Sequence, residues 1–488
     1  MKRIIRLFLF VLFPVLLSAQ DLSLDLLRLK EEIATRGKQM DYVYGLADDI
    51  GHRLTGNPGG EKAEKEVADW LRAIGLENVR LEPFRMESRW TRGTASAQLV
   101  SPVSRSLTVA SYTWTPSTPG NGIQGHLVDG GTGKPEEIAA VKSKMRGAVV
   151  LVAPAGVTLD EVIGNFYRTP LFVEECAKAG ALAVLIASDK DRTLLYTAPV
   201  SFNAEVSSVA TLSIAREDVD LLRRLLGKSN VPNAAKDVRI RVAVKNTTGS
   251  AFLANNVVGE IRGSEKPEEV ILLGAHLDSN DLGPGALDNA AGCAALLETA
   301  RAIKNLGLQP KRTIRFVFFM GEEEGMIGST EYVKRHYADM DNIVANLNMD
   351  IGAGKPLGWF SMGRTDLDPE IRALMQPLGY HPDSVMIVNA AFAATDNAAF
   401  MAAGVPNLVM LQDDASYFPV HHTAADTPDK IVREDFAECV TTLAMTAYLM
   451  ASQDQRFGRR LTETEIEEMI RTSNIEYQWR AANIWPLQ

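Results

Sequence analysis

Cysteine is nearly missing from this chain: Cys176, Cys293 and Cys439 are the only three among 488 residues. Three thiols are too few for a disulfide scaffold, and none stands at the spacing of a metal finger. Cys293 and Cys439 fall in apolar helical patterns, where a free thiol behaves as a small hydrophobe. Net positive charge is missing too. With 51 Lys and Arg against 61 Asp and Glu, the formal charge is −10. That excludes a broad nucleic-acid footprint, which needs clustered cations. No stretch after the first twenty residues is long and apolar enough to span a bilayer. No internal repeat is visible. What remains is 46% hydrophobic and 23% charged, enough for two or three cores of ordinary size.

The start of the chain differs from the rest. Lys2, Arg3 and Arg6 precede the apolar run "LFLFVLFPVLL", and "SAQ" follows it. This is the layout of a secretory signal peptide, with cleavage expected after Ala19. The run is about a dozen residues, short of the roughly 20 that a spanning helix needs. No cysteine follows it to carry a lipid. The mature chain is therefore expected outside the cytoplasm, periplasmic or secreted, without a stable membrane anchor.

Four further segments follow from the pattern: 20–94, 95–250, 251–454 and 455–488. Within the first, the pattern from about Leu22 to Gly75 is mostly helical and includes the amphipathic "EKAEKEVADWLRAIG". Residues 95–250 hold short β-like runs among Gly, Pro and Ser, with His126 as the one histidine. They read as a β-rich insert. From Asn255 strands and helices alternate, which predicts an α/β domain with a mostly parallel sheet and helices on both faces. One helix is expected from Asp288 to Leu306, with Asp288 as N-cap and Gly307 as its stop. Another is expected over "STEYVKRHYADM" with Ser329 as N-cap. The tail carries a charged helix, "TETEIEEMIRT".

Polar clusters fall where these strands end. His276 and Asp278 close "EVILLGAHLD", and Asp288 opens the next helix. Glu322, Glu323 and Glu324 come straight after "RTIRFVFFM". Asp350 ends "NIVANLNMD", and "HHTAADTPD" at 421–429 follows "VPNLVMLQ". Singly, each has an ordinary reading: a polar strand end, a helix cap, a solvated charge run, loop surface. Jointly they sit at the carboxyl edge of one sheet, the ligand crevice of open α/β folds. The residue types suit two metal ions. Zinc takes imidazole nitrogen and carboxylate oxygen. Ions roughly 3.5–4 Å apart need a shared carboxylate, for which Asp288 is the natural choice. Asp278 is suited to accept the second ring N–H of His276. One glutamate of the triplet would ligate and another would serve as base.

Taken together, "GAHLDSNDLGPGALDNAAG", "GEEEGMIGS", "NMD" and "HTAADTPD" resemble the M28 family of di-zinc metallopeptidases. "IGHRLTGNPG" and "DIGAGKPLG" resemble stretches of one branch of it, and the likeness spans nearly the whole mature chain. The 95–250 segment is similar in position and pattern to a protease-associated (PA) domain. The resemblance implies two zinc ions per chain, one on His276 and Asp350 and the other on Glu323 and His422, with Asp288 bridging. It implies Glu322 as general base and Asp278 orienting His276. His422 is preferred to His421 because "HTAADT" fits the family pattern. One departure is "TDN" at 395–397, where many members carry Ser-Asp-His. It bears on substrate contacts, for which Asp396 and Tyr417 are candidates, Tyr417 as an oxyanion donor. Asp281 receives no role and is expected at the loop surface.

The function implied is that of an exported exopeptidase cleaving dipeptides or short free-ended peptides. Whether it reads the amine or the carboxylate end stays open. A related zinc amidase or glutaminyl-cyclase-like enzyme would need most of the same ligands. A binding protein without catalysis would be expected to have lost some, whereas all five ligand positions and the base are filled. The insert is left two roles, capping the cleft or mediating contacts in a homodimer.

Overall fold

The computed structural model describes residues 22–156, 159–227, 237–381, 384–482 and 484. The signal segment expected at 1–19 lies outside them.

Among the described residues, two eight-stranded sheets organise the fold. In chain order the strands are β1 (Glu77–Met86), β2 (Trp90–Ser101), β3 (Arg105–Leu107), β4 (Val109–Ser111), β5 (Ile123–Asp129), β6 (Ala148–Val152), β7 (Ala183–Ala187) and β8 (Ala210–Ile214). They continue with β9 (Arg239–Thr248), β10 (Phe252–Ile261), β11 (Lys266–His276), β12 (Arg312–Phe319), β13 (Ile343–Asn348), β14 (Pro356–Phe360), β15 (Met386–Val388) and β16 (Asn407–Gln412). The first sheet runs β1-β10-β12-β11-β13-β16-β14-β15, and the second runs β3-β2-β9-β5-β6-β7-β8-β4. All strands of the second sheet thus lie between β1 and β10 in sequence. The composition break near residue 95 falls inside β2, because that strand already begins at Trp90, whose buried ring stacks on Trp114 at 6.0 Å.

The heart of the first sheet is parallel: β12, β11, β13 and β16 pair in that sense, flanked by antiparallel β10 and β14. β12 shows why. Ile314, Phe316 and Phe318 point into the core shared with helices Ala291–Asn305 and Arg433–Ser452. Val317 and Phe319 point the other way, onto Tyr332 and Phe400 from helices Ile327–Arg335 and Asn397–Ala402. A strand covered on both faces carries apolar residues at successive positions rather than alternate ones. Each fully buried phenylalanine contributes about 1.5–3 kcal/mol relative to exposure.

Helix starts depart from expectation at two places. The helix after β11 begins at Ala291, and Asp288 (φ −124°, ψ 87°) lies outside helical geometry with no capping hydrogen bond. Its carboxylate is drawn instead toward histidines, as described below. Ser329 sits within the first turn of Ile327–Arg335, where its hydroxyl donates to Met326 O at 3.2 Å. That helix starts earlier because Gly325 and Met326 turn the chain at positive φ. The three cysteines are buried and free. In the tail, Thr462 caps Glu463–Thr472 in a capping box with Glu465, and Trp479 is buried. No helix among the described residues is long and apolar enough to cross a membrane.

Candidate metal centre

His276 is the last residue of β11, and its register partner on β12 is Phe319, so Glu322 and Glu323 emerge beside it. Asp350 follows β13, the neighbour on the other side. Gly292 lets the next helix approach: a Cβ there would lie 2.5 Å from Met349 O. Asn289 Nδ2 donates to the same carbonyl at 2.7 Å. The loop carrying Asp288 is thereby packed against the end of β13.

Asp288 is the centre of the arrangement. Its Oδ1 lies 3.0 Å from His276 Nε2, and its Oδ2 lies 3.2 Å from His422 Nε2. His276 Nε2 also lies 2.9 Å from Asp350 Oδ1, and His422 Nε2 lies 3.0 Å from Glu323 Oε2. The five residues expected as ligands therefore come together, and all are buried. His421 joins them, with Nε2 3.3 Å from Asp288 Oδ2 and its ring stacked on His422 at 3.9 Å.

The donor set fits divalent metal. Asp288 Oδ2 and Glu323 Oε2 are buried and accept no hydrogen bond. Among the described residues the ion-pair partners of Asp288, Glu323 and Asp350 are histidines alone. Burial by itself would lower the imidazoles. Asp350, Asp278 and Asp288 nevertheless carry His276 well above the usual histidine range, and Glu323 with Asp288 brings His422 up to about 10. The cluster draws positive charge to itself, which a cation bound to the Nε2 lone pairs would supply equally well. Burial pushes Glu322 well above the usual carboxylate range, reinforced by Asp350, Asp396 and Glu323 against the pull of His276.

Asp278 does more with its carboxylate than the HxD spacing suggests. His276 Nδ1 lies 3.1 Å from the main-chain carbonyl of Asp278 and 3.6 Å from its Oδ1, so the orienting bond goes to the backbone. The carboxylate instead gathers the turn after β12. It accepts from the N–H groups of Gly321 (3.0 Å), Glu322 (3.4 Å) and Glu323 (3.3 Å) and from Thr55 Oγ1 (2.9 Å). Asp281 is not loop surface. Its side chain is 2% exposed and receives Arg92 of β2, with Nε to Oδ2 at 2.9 Å. Asp396 precedes helix Asn397–Ala402 and is 1% exposed. Its neighbour Thr395 lines the cavity over the centre. Burial raises the Asp396 carboxyl to about 8.

That cavity measures about 120 Å³ and is walled by Glu322, Asp350, Tyr417 and the apolar Ile163, Phe166 and Phe392. Phe166, Tyr196, Ile351, Phe418 and His421 also line a larger one of about 750 Å³ that reaches into the second sheet's loops. Burial, then the nearby anions Asp288 and Asp350, raise the Tyr417 phenol well above its usual range and keep it protonated.

Sequence reasoning missed three supports. Asp426 holds the Asp288 main chain. Arg53, wholly buried, spends its guanidinium on carbonyls of the 277–285 loop. Thr197, in the segment between β7 and β8, accepts from His422 Nδ1. Asp426 and Arg53 stand inside motifs already singled out, "HTAADTPD" and "IGHRLTGNPG"; Thr197 stands in none.

A mostly parallel sheet core that delivers imidazoles and carboxylates from successive strand ends to one buried cluster has the donor set of a metalloenzyme centre. Residues 256–447 match the peptidase family M28. The chain is 30% identical to carboxypeptidase Q of Pongo abelii, over 88% of this chain and 89% of that protein. It is 29% identical to carboxypeptidase Q of Xenopus laevis, over 88% and 90%. The solved structure of a peptidase M28 precursor from Shewanella amazonensis SB2B superposes with a TM-score of 0.79 at 27% identity, covering 91% of this chain and 99% of that one. The chain belongs to peptidase family M28 and is a metallopeptidase.

Proposed function

We propose that this metallopeptidase is an exopeptidase that holds two zinc ions and cleaves dipeptides or short free-ended peptides. His276 and Asp350 would hold one ion, Glu323 and His422 the other, and Asp288 would bridge. The observation that carries this reading is the Asp288 carboxylate, whose two oxygens face different histidines, each paired with a further carboxylate. Zinc bound there supplies Lewis acidity to a water and to the peptide carbonyl.

The chain's own residues supply the rest. Glu322 lines the small cavity, and burial raises its affinity for a proton. It would take the proton of the attacking water at its carboxylate and return it to the leaving amine. Tyr417 lines the same cavity and keeps its phenolic proton, so it is suited to donate a hydrogen bond to the developing oxyanion. The apolar Ile163, Phe166 and Phe392 on the cavity wall would face an apolar substrate side chain. The second sheet, placed between β1 and β10, is read as a PA-like insert that narrows access. The basic and apolar N-terminal pattern supports export.

Two measurements test this. Release assays on free and end-blocked dipeptides, with and without chelator, should show metal-dependent cleavage lost on blocking one end. Glu322→Gln should keep its metal and lose turnover by about 10²-fold or more. Unchanged turnover in that variant removes Glu322 as base.

A further inference from the structure

The two halves of the centre are supported from different parts of the chain. His276 Nδ1 is held by its own strand-end loop, through Asp278 O. The Glu323–His422 half is held from the second sheet, through the segment between β7 and β8. His422 Nδ1 donates to Thr197 O at 2.9 Å, and Thr197 N–H returns a bond to His422 O at 3.3 Å. Thr197 O also accepts Asn280 Nδ2 at 3.0 Å, while Thr197 Oγ1 donates to Asn280 Oδ1 at 3.0 Å. Asn280 N–H then donates to Glu323 Oε1 at 2.6 Å. Glu323 Oε2 faces His422 Nε2, and the ring closes.

Each member has a physical task. Donation from Nδ1 to a fixed carbonyl sets the imidazole tautomer and leaves Nε2 as the free lone pair. His422 sits at φ 59°, a left-handed conformation that non-glycine residues adopt only when the surroundings hold it. The reciprocal bonds with Thr197 hold it. Tyr196 adds a stacked ring over the imidazole, 5.3 Å away at an angle of 15°. Lys190 Nζ pins the start of the same segment to Phe418 O at 2.8 Å. The Asn280 main-chain N–H engages one oxygen of Glu323 and leaves the other facing the histidine. Thr197 and Asn280 are buried, so water does not compete for these bonds.

We propose that Thr197 and Asn280 are positioning residues for the metal site of Glu323 and His422. The segment between β7 and β8 thereby bears on occupancy of the Glu323–His422 site, whereas His276 Nδ1 is held by Asp278 O of its own strand-end loop. This inference rests on the two-metal reading above.

The test is metal titration of the full chain, stripped and then dialysed against zinc alone, with metal analysis. The chains compared are the unmodified one, Thr197→Val, Thr197→Ser and Asn280→Ala. The unmodified chain should take up two ions. Thr197→Val breaks one, and Asn280→Ala both, of the side-chain bonds that tie Thr197 to Asn280 and so fix the main-chain groups facing His422 and Glu323. Thr197→Val and Asn280→Ala should keep one ion at unchanged affinity and bind the second roughly 10-fold more weakly. Thr197→Ser, which retains the hydroxyl, should restore it. With cobalt in place of zinc, the visible spectrum should change for the weakened equivalent only. Two ions bound at full affinity in both Thr197→Val and Asn280→Ala would overturn the inference. Parallel loss of both ions would also overturn it, as it marks general loosening rather than support of one site. If the unmodified chain takes up fewer than two ions, the two-metal reading itself falls, and this inference with it.

Discussion

Asp426 holds Asp288 by its peptide: Oδ2 accepts the N–H of Asp288 at 3.1 Å, and Oδ1 accepts that of Leu287 at 2.7 Å. The residue proposed to bridge the metals is therefore anchored from behind, while its carboxylate faces the histidines. Burial and the nearby Asp288 raise the Asp426 carboxyl to about 7. The two amide bonds pull the other way and make the buried carboxylate worth keeping.

Asp426→Ala should leave two buried N–H groups without acceptors. An unsatisfied buried donor costs about 1–3 kcal/mol. The expected result is a loss of roughly 2–4 kcal/mol in urea unfolding, with lowered zinc content. Asp426→Asn keeps one acceptor oxygen and should lose about half as much. Unfolding of the alanine variant at the unmodified midpoint would dissociate Asp426 from the support of Asp288.

Arg53 gives a second prediction. Nε donates to Leu277 O at 2.8 Å, Nη1 to Pro284 O at 2.6 Å, and Nη2 to Gly285 O at 2.8 Å. These carbonyls span the loop between His276 and Asp288. A planar guanidinium serves them all at once, which a single ammonium cannot. Arg53→Lys is expected to destabilise the chain by about 3 kcal/mol or more, since several buried carbonyls lose their donor. Arg53→Met should do at least as much harm. Thermal melts of both variants are the check, and a lysine variant as stable as the unmodified chain would contradict the clamp.

Glu64 supplies a pH dependence remote from the metal ligands. Burial raises its carboxyl to about 7, against the hydrogen bonds it accepts from Asn255 N and Nδ2. The folded value lies above the unfolded one, so the fold favours the protonated form. Its contribution is fully present below the ordinary value of 4.5 and is lost as pH rises through about 7. Glu64→Gln removes that titration. Relative to the unmodified chain, the variant should gain about 3 kcal/mol of stability between those two pH values. Urea unfolding of both chains at several pH values reads the difference. A difference that stays constant with pH argues against a titrating Glu64.

Much of the centre was legible because ligand chemistry and strand pattern coincide. His276, Asp350 and the glutamates stand directly after runs such as "RTIRFVFFM", whose uninterrupted apolarity marks a strand buried on both faces. Asp288 was legible as a member of the cluster but not as a loop residue. Its position before an apolar helical pattern imitates an N-cap, and only the pull of His276 and His422 sets it apart. Asp281 was misread for a related reason, and the second task of Asp278 was not visible: the partners involved, Arg92 and the Gly321–Glu323 amides, are far off in sequence.

The sequence by itself determined the alternation of strands and helices, the sheet edge, and the set of imidazoles and carboxylates that meet there. These follow from local periodicity and from side-chain chemistry, both of which act over a few residues. Tertiary structure alone decided how that set is held. The Arg53 clamp, the Asp426 anchor and the Thr197–Asn280 ring each join segments that only folding brings together. Several of their bonds end on main-chain amides or carbonyls, which every residue carries and which therefore leave no mark in the sequence.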